Sequence, residues 1–362
     1  MTTKKKILIA AGGTGGHVFP AYALAKYFFK KNFLVKIVTD KRGLKFLENY
    51  NDINLTIINS ETIYDKNPLI LIISIFKILQ AFFKSFFVLN KFKPNIIFGM
   101  GGYSSFPVCL AAKILRIPFI IYENNMYIGK TNKYLLPYTK KIFVSYSNLG
   151  GIDKKYNKKV FEVGNILREE ILNYKNSYTK ESKEKFKVLI LGGSQAAKSF
   201  GEKLPDVFKK CSAKGIKLKI YQQCQLSQKK ILEEQYDKLG IENEIFYFCN
   251  DLSKYFSKID ISITRSGSSM LAELLNCNIP FISIPLPNSA ENHQFHNAKY
   301  FENKGYGLLV EEHEIGNELF SLIKLLHEDK ELLIKIKTKQ KQHSDKNVFE
   351  KIFIETKEFL ND

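Results

Sequence analysis

Two glycine-rich segments, one in each half of the chain, place the strongest constraint on the fold. The first is GGTGGH at 12–17, and the second is GGS at 192–194. Each follows a short apolar run typical of a β-strand and precedes a pattern typical of a helix. Glycine permits tight turns and lets the backbone approach a ligand closely, and the helix N-terminus that follows attracts anions. The pair predicts two α/β domains, each with an anion-binding loop.

Strands and helices alternate along both halves of the sequence. In the first half, apolar runs predict strands near 5–10, 34–39, 54–58, 95–98, 118–122 and 141–145. Helices are predicted over 18–31, 41–49, 69–91, 104–115 and 130–136. In the second half, strands are predicted near 187–192, 217–221, 244–248, 259–263, 280–284 and 307–310, with helices after 314 and over 345–360. This alternation predicts an α/β fold with two Rossmann-like, doubly wound parallel-sheet domains that face each other across a cleft.

Length and polarity suggest the domain boundaries. A chain of 362 residues, 45% of them hydrophobic, fits two domains better than one. The stretch 172–187 is polar and lacks apolar periodicity, which places an interdomain linker at 166–186. We therefore expect an N-terminal domain at 1–165 and a C-terminal domain at 187–344. The last segment, 345–362, is predicted to be a helix that packs back on the N-terminal domain.

Composition narrows the class of protein. Five scattered cysteines without a C-x-x-C pair indicate neither a disulfide framework nor a zinc site, and a reducing cytoplasm is expected. The apolar run at 7–11 is too short for a signal peptide and is interpreted as a strand. The formal net charge of +19 has two explanations, a coding bias towards lysine or attraction to diphosphates and acidic membranes. No nucleic-acid-binding pattern is present in the sequence, so nucleic acid is not an expected partner.

The segment 68–92 is apolar nearly all round a helix. Lys77 and Lys84 interrupt it, so it lacks an uncharged run of about 18 residues and is not expected to span a membrane. Two interpretations remain. It is a core helix of the first sheet, or it inserts its apolar side chains among acyl chains with the lysines at headgroup level. The two interpretations are compatible if each applies to a different face.

The first glycine loop disfavours several nucleotide-dependent classes of enzyme. It does not read G-x-G-x-x-G, and only Asp40 supplies a carboxylate at the end of the second strand, so a nicotinamide or flavin enzyme is disfavoured. The loop also lacks the G-K-[ST] of a P-loop. No Asp-x-Asp occurs, so no carboxylate clamp for a metal ion is expected. Positive charge facing a diphosphate is assigned instead to helix termini and to Arg168.

His17 and a strand-end group at 123–125 are candidates for chemistry in the first half. A helix start favours a neutral imidazole, so His17 can accept a proton from a substrate hydroxyl. The alternative is that His17 caps the helix or binds phosphate. Glu123 and the amides of Asn124 and Asn125 can orient a polyhydroxylated substrate, or the two asparagines are turn residues.

The second half offers a further set of polar residues at a predicted helix start. Small hydroxyl residues at 266–269 suit a diphosphate. Glu273, further along that helix, can bind both hydroxyls of a ribose, or it is an ordinary solvated residue.

Seven motifs occur in one order along nearly the whole chain. They are GGTGGHVFPA at 12–21, GMGGYSSFP at 99–107, ENN at 123–125, GN-x-x-R at 164–168, GGSQ at 192–195, RSG…E at 265–273 and HQ-x-x-NA at 293–298. This set closely resembles the MurG family of N-acetylglucosaminyltransferases, glycosyltransferase family 28. The resemblance implies a GT-B fold and inverting transfer from UDP-N-acetylglucosamine to lipid I, without metal or cofactor. It also implies peripheral attachment to the anionic inner face of the cytoplasmic membrane, with cell-wall and division machinery as further partners.

The resemblance also implies roles for individual residues by motif position. His17 is the expected general base, with Glu123 the alternative. The implied donor-binding residues are Thr14, Gly15, Gly16, Asn125, Arg168, Ser194, Cys249, Ser268, Ser269, Met270, Leu271, Ala272, Glu273 and Gln294. The implied acceptor-diphosphate residues are Gly12, Gly13, Gly101, Gly102 and Tyr103. The chain departs from the family at Tyr122, where histidine is common, in the missing proline of 164–168, and at 196–197, where Ala-Ala replaces Gly-Ala.

Two other functions remain open at this point. One is a GT-B transferase for another acceptor, such as a sterol, diacylglycerol or macrolide. The other is a nucleotide-sugar-binding or membrane-scaffolding protein that has lost turnover. Retention of all four of His17, Glu123, Arg168 and Glu273 argues against such loss.

Overall fold

The computed structural model of the protein describes residues 4–48, 52–59, 68–174, 184–193, 196–249 and 251–360. The chain divides into two compact units, unit 1 with Met1–Arg168 and Asp345–Asp362, and unit 2 with Glu169–Ser344. The beginning of the stretch expected to be a linker, 166–186, is structured. Residues 166–168 are buried and belong to unit 1, and Glu169–Leu172 form one helical turn of unit 2. Residues 175–183 lie outside the described residues.

Unit 1 is built on a seven-stranded parallel sheet in the order β3-β2-β1-β4-β5-β6-β7. Its strands are β1 Lys6–Ala10, β2 Leu34–Thr39, β3 Asn54–Ile57, β4 Ile96–Gly99, β5 Phe119–Glu123, β6 Lys141–Val144 and β7 Val160–Glu162. Its helices are α1 Gly15–Lys30, α2 Lys41–Leu44, α3 Pro68–Phe92, α4 Ser105–Ile114, α5 Lys130–Leu135 and, at the end of the chain, α14 Val348–Leu360. The six predicted strands are confirmed. The predicted helix over 41–49 is too long, because the helix ends at Leu44 and 45–48 form turns. Strand β7, which follows a lysine-rich turn, was not predicted.

Helices cover both faces of the unit 1 sheet. On one face, Leu8 and Ile97 lie in a buried cluster with residues of α3 and α4. On the other face, Phe28 of α1 packs against Phe98 of β4, with 5.6 Å between ring centroids. Both faces are therefore apolar, as expected for a parallel sheet.

The terminal helix α14 packs within unit 1. Phe349 stacks on Tyr27 of α1 with 5.0 Å between ring centroids. Lys141 Nζ donates to Glu355 Oε2 at 2.7 Å and lies 3.0 Å from Glu358 Oε1, which ties the helix to β6.

The long helix α3 has one packed face and one exposed face. Ala81 and Leu89 are buried in the unit 1 core, whereas a row of large apolar side chains is exposed. That row consists of Ile72, Phe76, Leu79, Phe83 and Phe87. By length and composition alone, Ile72–Phe92 could cross a membrane, with a mean hydropathy of 1.8. The packed face agrees with the core interpretation, and the exposed apolar face is the part of the helix to which the interfacial interpretation applies.

Unit 2 repeats the same architecture with a six-stranded parallel sheet in the order β10-β9-β8-β11-β12-β13. Its strands are β8 Phe186–Leu191, β9 Leu218–Gln223, β10 Glu242–Phe246, β11 Ile261–Arg265, β12 Phe281–Ile284 and β13 Leu308–Leu309. Its helices are α6 Glu169–Leu172, α7 Lys198–Ala213, α8 Lys229–Lys238, α9 Ser253–Phe256, α10 Ser268–Asn276, α11 His293–Asn303, α12 Phe320–Glu328 and α13 Lys330–Lys341. All six predicted strands are present, with bounds shifted by at most two residues.

In each unit the strand order reverses beside the strand that precedes the glycine loop. The reversal lies between β1 and β4 in unit 1 and between β8 and β11 in unit 2. Ligands of open α/β sheets bind at the carboxyl ends of the strands at such a point. The topology therefore locates one candidate site in each unit.

Candidate functional site

Three loops meet at the strand reversal of unit 1. The first glycine loop follows β1, the 99–104 loop follows β4, and the 123–129 loop follows β5, and these three strands are neighbours in the sheet. Asn124 Nδ2 donates to the carbonyl oxygen of Gly16 at 3.2 Å, which links the third loop to the first turn of α1. The structure thus brings together the first-half residues that the sequence predicted as a site.

His17 lies in the first turn of α1, and its ring contacts two glycines of the 99–104 loop. A Cβ built on Gly101 would be 3.0 Å from His17 Cδ2 and 3.1 Å from Nε2, and one on Gly102 would be 3.4 Å from Nδ1. A Cβ on Gly102 would also collide with the carbonyl oxygen of Gly12. Glycine is needed at 101 and 102 for a second reason, because their φ angles are +86° and +75°. The ring is therefore held against the 99–104 loop, at the helix N-terminus.

Glu123 is a buried residue whose carboxylate is fully used inside its own loop. Its Oε1 accepts from the backbone N–H of Asn125 at 3.1 Å and from the Asn125 side-chain amide at 2.9 Å. Its Oε2 accepts from the N–H of Gly129 and from Asn132 Nδ2, both at 2.9 Å. Four donors leave this carboxylate no open position for a substrate proton. The geometry favours Glu123 as a residue that orders the 123–129 loop and the start of α5 over Glu123 as a base.

Of the other two residues in the 123–125 group, one is buried and one is partly exposed. Asn124 is buried and bonded to Gly16, so its role agrees with the interpretation as a structural loop residue. Asn125 is partly exposed, and its amide donates to Glu123 and to Asn124 Oδ1 at 3.2 Å. Of the two asparagines, only Asn125 is presented at the surface of the loop.

Arg168 is placed in unit 1 by a hydrogen-bonded segment at 164–166. Asp345 Oδ1 accepts from the N–H of Asn165 at 2.9 Å, and Asp345 Oδ2 accepts from Asn165 Nδ2 at 3.1 Å. The hydroxyl of Tyr122 accepts from the N–H of Ile166 at 3.1 Å. Arg168 itself is largely buried, with its guanidinium over the ring of Phe19 of α1, 5.2 Å from the centroid. A stacked arginine in this position retains its charge.

The strand reversal of unit 2 is organised by Arg265, at the end of β11. Its guanidinium donates to the carbonyl oxygens of Ile284 and Pro285 and to Ser199 Oγ at 2.9 Å, and it forms an ion pair with Glu312. These contacts occupy the arginine within the unit, so it acts structurally at the start of α7. The neighbouring Gly193 has a φ of +81°, and Ser194 lies outside the described residues.

The predicted donor-binding run at 268–273 has two kinds of residue. Ser269 and Met270 are partly exposed at the start of α10, whose first turn contains no acidic side chain. Leu271 and Ala272 have no exposed surface, so they are core residues that a ligand cannot reach in this structure. Glu273 is only 6% exposed, so the alternative that it is an ordinary solvated residue is wrong.

Two further predicted donor residues of unit 2 are Gln294, in a helix, and Cys249, in a loop. Gln294 is the second residue of α11, and its Oε1 accepts from the N–H of Leu286 at 3.0 Å. Asn297 of the same helix donates to the carbonyl oxygen of Ser266 at 3.1 Å, which joins this helix to the loop after β11. Cys249 is partly exposed after β10, and its thiol donates to the carbonyl oxygen of Asp251.

Within the described residues, no group of three or more histidine, cysteine, aspartate or glutamate side chains could hold a metal ion. The sequence identified Asp40 only as the carboxylate at the end of the second strand, yet this carboxylate accepts a hydrogen bond from the N–H of Gly13 in the first glycine loop. Asn132 and Asp345 were not identified from the sequence. Both lie in segments predicted as helices, and a helical pattern does not show which groups a polar side chain contacts.

Comparison with known proteins gives a consistent result for both halves of the chain. Residues 7–144 match the glycosyltransferase family 28 N-terminal domain, and residues 187–352 match the C-terminal domain of that family. The chain is 36% identical over 360 residues to the UDP-N-acetylglucosamine–N-acetylmuramyl-(pentapeptide) pyrophosphoryl-undecaprenol N-acetylglucosamine transferase of Pelagibacter ubique, with 99% of each chain covered. It is 34% identical over 319 residues to the enzyme of the same name from Rickettsia bellii, with 87% of this chain and 88% of the relative covered.

Solved structures agree with the sequence comparison. MurG of Acinetobacter baumannii superposes with a TM-score of 0.76 at 25% identity, covering 98% of this chain and 100% of that one. With two parallel-sheet α/β units and this structural neighbour, the fold is GT-B.

Proposed function

Because the chain belongs to glycosyltransferase family 28, we propose that it catalyses the reaction for which its relatives are named. N-Acetylglucosamine moves from UDP-N-acetylglucosamine to lipid I, the N-acetylmuramyl-(pentapeptide) pyrophosphoryl-undecaprenol, and gives lipid II for peptidoglycan synthesis. The observation that carries the proposal is the position of His17, whose ring lies against Gly101 and Gly102 at the strand reversal of unit 1.

Transfer is a single displacement that inverts the anomeric carbon. The 4-hydroxyl oxygen of the N-acetylmuramyl unit attacks the anomeric carbon of the donor, the bond to the diphosphate oxygen breaks, and UDP leaves with the bonding electrons. His17 takes the hydroxyl proton as general base, a role typically worth about 10²–10⁴-fold in rate. Glu123 is not the base in this scheme because both of its oxygens are already bonded.

In unit 2, the donor is bound by the loops that follow β10, β11 and β12. The start of α10 faces the diphosphate with Ser268 and Ser269, and Glu273 binds the ribose hydroxyls. Cys249 lies beside the uracil through its backbone, and Gln294 binds the sugar. A helix terminus contributes only about 0.3–2 kcal/mol, so the diphosphate also requires a cation.

Arg168, Thr14, Gly15, Gly16 and Asn125 of unit 1 are the remaining members of the proposed donor-binding set, and Arg168 brings a positive charge to it. The acceptor diphosphate is bound by the backbone of Gly13 and Gly102 and by Tyr103, which are partly exposed. Gly12 and Gly101 are buried and contribute by allowing the two loops to approach each other. The lack of acidic residues in the first turn of α1 favours an anion there.

The exposed face of α3 attaches the enzyme to the cytoplasmic surface of the inner membrane. Phe76 and Phe87 are 60% and 71% exposed, on one side of the helix. Lys77, Lys84 and Lys91, also exposed, recur every seven residues along one flank of that apolar row. Apolar side chains at acyl-chain level with lysines at headgroup level are typical of an interfacial helix on an anionic membrane.

A transfer assay with labelled UDP-N-acetylglucosamine and a short-chain lipid I analogue tests the proposed activity. We expect labelled disaccharide product from the wild type, no product with a sterol or diacylglycerol acceptor, and strongly reduced product from His17→Ala. Transfer only to another acceptor would make the chain a transferase of different specificity. Donor binding without transfer to any acceptor would make it a binding protein.

The same assay tests whether a metal ion takes part. The proposed mechanism requires none, so product formation at saturating substrates should be equal with and without EDTA. Loss of activity with EDTA and recovery with Mg²⁺ or Mn²⁺ would contradict this part of the proposal.

A further inference from the structure

We propose that Asp40 is a positioning residue for the reaction, because it holds the first glycine loop in the shape that places His17. This inference rests on the proposed function. Asp40 directly follows β2, the strand next to β1, and is only 3% exposed. Its carboxylate contacts the loop at Gly13 and is almost completely shielded from solvent.

The carboxylate of Asp40 joins two segments through one oxygen. Oδ1 accepts from the N–H of Gly13 at 3.1 Å and from the N–H of Gly43, in α2, at 2.7 Å. Oδ2 accepts from the guanidinium of Arg42 at 3.1 Å. Gly13 has a φ of +86°. A left-handed glycine is free to adopt other conformations, so an external hydrogen bond is needed to fix it.

A chain of close contacts through the first glycine loop connects Asp40 with His17. A Cβ built on Gly12 would be 3.1 Å from Asp40 Cγ and would collide with Ser104. The carbonyl oxygen of Gly12 in turn lies so close to Gly102 that a Cβ on Gly102 would collide with it. Gly102 itself contacts the His17 ring. A shift of the loop at Gly12 and Gly13 therefore moves the surface against which the imidazole is held.

All three partners of Asp40 are hydrogen-bond donors, so the site requires an ionised carboxylate. Burial alone would raise the pKa of Asp40, but the N–H groups of Gly43 and Gly13 and the guanidinium of Arg42 outweigh it and lower the pKa below its usual range. An asparagine that keeps its Oδ1 towards the N–H groups of Gly13 and Gly43 turns its N–H₂ group towards the guanidinium of Arg42. The contact with Arg42 is then lost, and the two bonds to the backbone lose the strength that a charged acceptor gives them.

The test compares Asp40→Asn with Asp52→Asn, which removes a carboxylate that accepts from the Tyr22 hydroxyl of α1 at 2.8 Å. We expect Asp40→Asn to lower kcat with the lipid I analogue by about tenfold or more, since small misplacements of catalytic groups have effects of this size. The dissociation constant of UDP should change less than about twofold. Asp52→Asn should lose a similar amount of thermal stability but keep kcat near the wild-type value.

A second measurement does not depend on turnover. Amide hydrogen exchange of the peptide that covers 11–17 should be faster in Asp40→Asn than in the wild type and unchanged in Asp52→Asn. If the wild type fails to use the lipid I analogue, the proposed function fails and exchange alone decides the role of Asp40. The inference is overturned by unchanged exchange at 11–17, by kcat within about twofold of the wild type in Asp40→Asn, or by an equal loss of kcat in Asp52→Asn.

Discussion

The imidazole of His17 is packed so closely against Gly101 that no side chain fits between them. A Cβ at position 101 would lie 3.0 Å from the ring Cδ2 and 3.1 Å from Nε2. The position of the proposed base is therefore determined by two loops that follow different strands, β1 and β4. A change in either loop should alter catalysis even where it touches no substrate.

The first prediction concerns Gly101→Ala. The φ of +86° costs an L-residue about 1–2 kcal/mol of stability, and the added methyl group must also displace the His17 ring. Gly215→Ala is the matched control, because Gly215 has a φ of +78° with nothing within 4 Å of its Cβ position. Both variants should lose similar stability in thermal unfolding, but only Gly101→Ala should lower kcat strongly. Equal kcat values in the two variants would mean that the contact with His17 has no role in catalysis.

The second prediction concerns His17 itself. His17→Ala should lower kcat by about 10²–10⁴-fold, while UDP binding changes little. In the wild type, kcat/KM should fall at acid pH because a protonated imidazole cannot accept the hydroxyl proton, and this acid limb should be absent from the residual activity of the variant. His313→Ala removes an exposed histidine of unit 2 and should leave both properties unchanged. A kcat near normal with a loss of about 1 kcal/mol in stability would support the helix-capping role instead.

Sequence patterns predicted the strands of both sheets because parallel strands buried on both faces are continuous apolar runs. Val188, Leu189 and Ile190 illustrate this, since all three are fully buried. The patterns also indicated which loops carry the site, because glycines that follow such runs lie at the carboxyl edge of the sheet. They could not give β7, whose three residues have no such run.

The roles of individual polar side chains were harder to predict. The sequence left Glu123 open as a base, and the structure shows four donors around it. One of these donors, Asn132, is nine residues away in α5. Hydrogen-bond saturation depends on loop geometry, which residue type and spacing do not specify. Leu271 and Ala272, predicted from a motif, have no exposed surface because they lie on the buried side of α10.

The third prediction tests the structural role of Glu123. Glu123→Gln places an amide N–H₂ against groups that are themselves donors, and leaving one buried group unsatisfied costs about 1–3 kcal/mol. We expect lower thermal stability and lower kcat, with the acid limb of the pH profile retained because His17 is intact. Asn132→Ala, which removes a single donor, should give a smaller loss of the same kind. If the acid limb disappears in Glu123→Gln but persists in His17→Ala, Glu123 is the base.

The fourth prediction concerns the donor. Glu273→Gln should weaken binding of UDP-N-acetylglucosamine by roughly 1–3 kcal/mol, the contribution of hydrogen bonds to a charged group. The increase should appear in the donor KM and in the dissociation constant of UDP measured by calorimetry, with the acceptor KM little changed. Glu328→Gln, at an exposed position of α12, is the control. Unchanged UDP affinity in Glu273→Gln would remove this residue from the donor site.

The last prediction concerns the exposed face of α3. The double variant Phe83→Ser, Phe87→Ser removes two side chains that are 57% and 71% exposed. Each is worth up to about 1.5–3 kcal/mol when it is fully buried among acyl chains. Binding to vesicles that contain phosphatidylglycerol should therefore weaken by at least about tenfold. Turnover of a water-soluble acceptor analogue should stay near the wild-type rate, since these side chains lie on the face of α3 opposite its packed residues.

Two controls separate this role from general effects of surface polarity and from membrane spanning. Ile334→Ser, at a 63% exposed position of α13 in unit 2, should leave vesicle binding unchanged. Alkaline carbonate should release the wild-type protein from membranes, as expected for an interfacial helix. Retention in carbonate would instead indicate that 72–92 crosses the bilayer, as its length and hydropathy allow. Wild-type affinity of the double variant for the vesicles would show that another surface attaches the enzyme to the membrane.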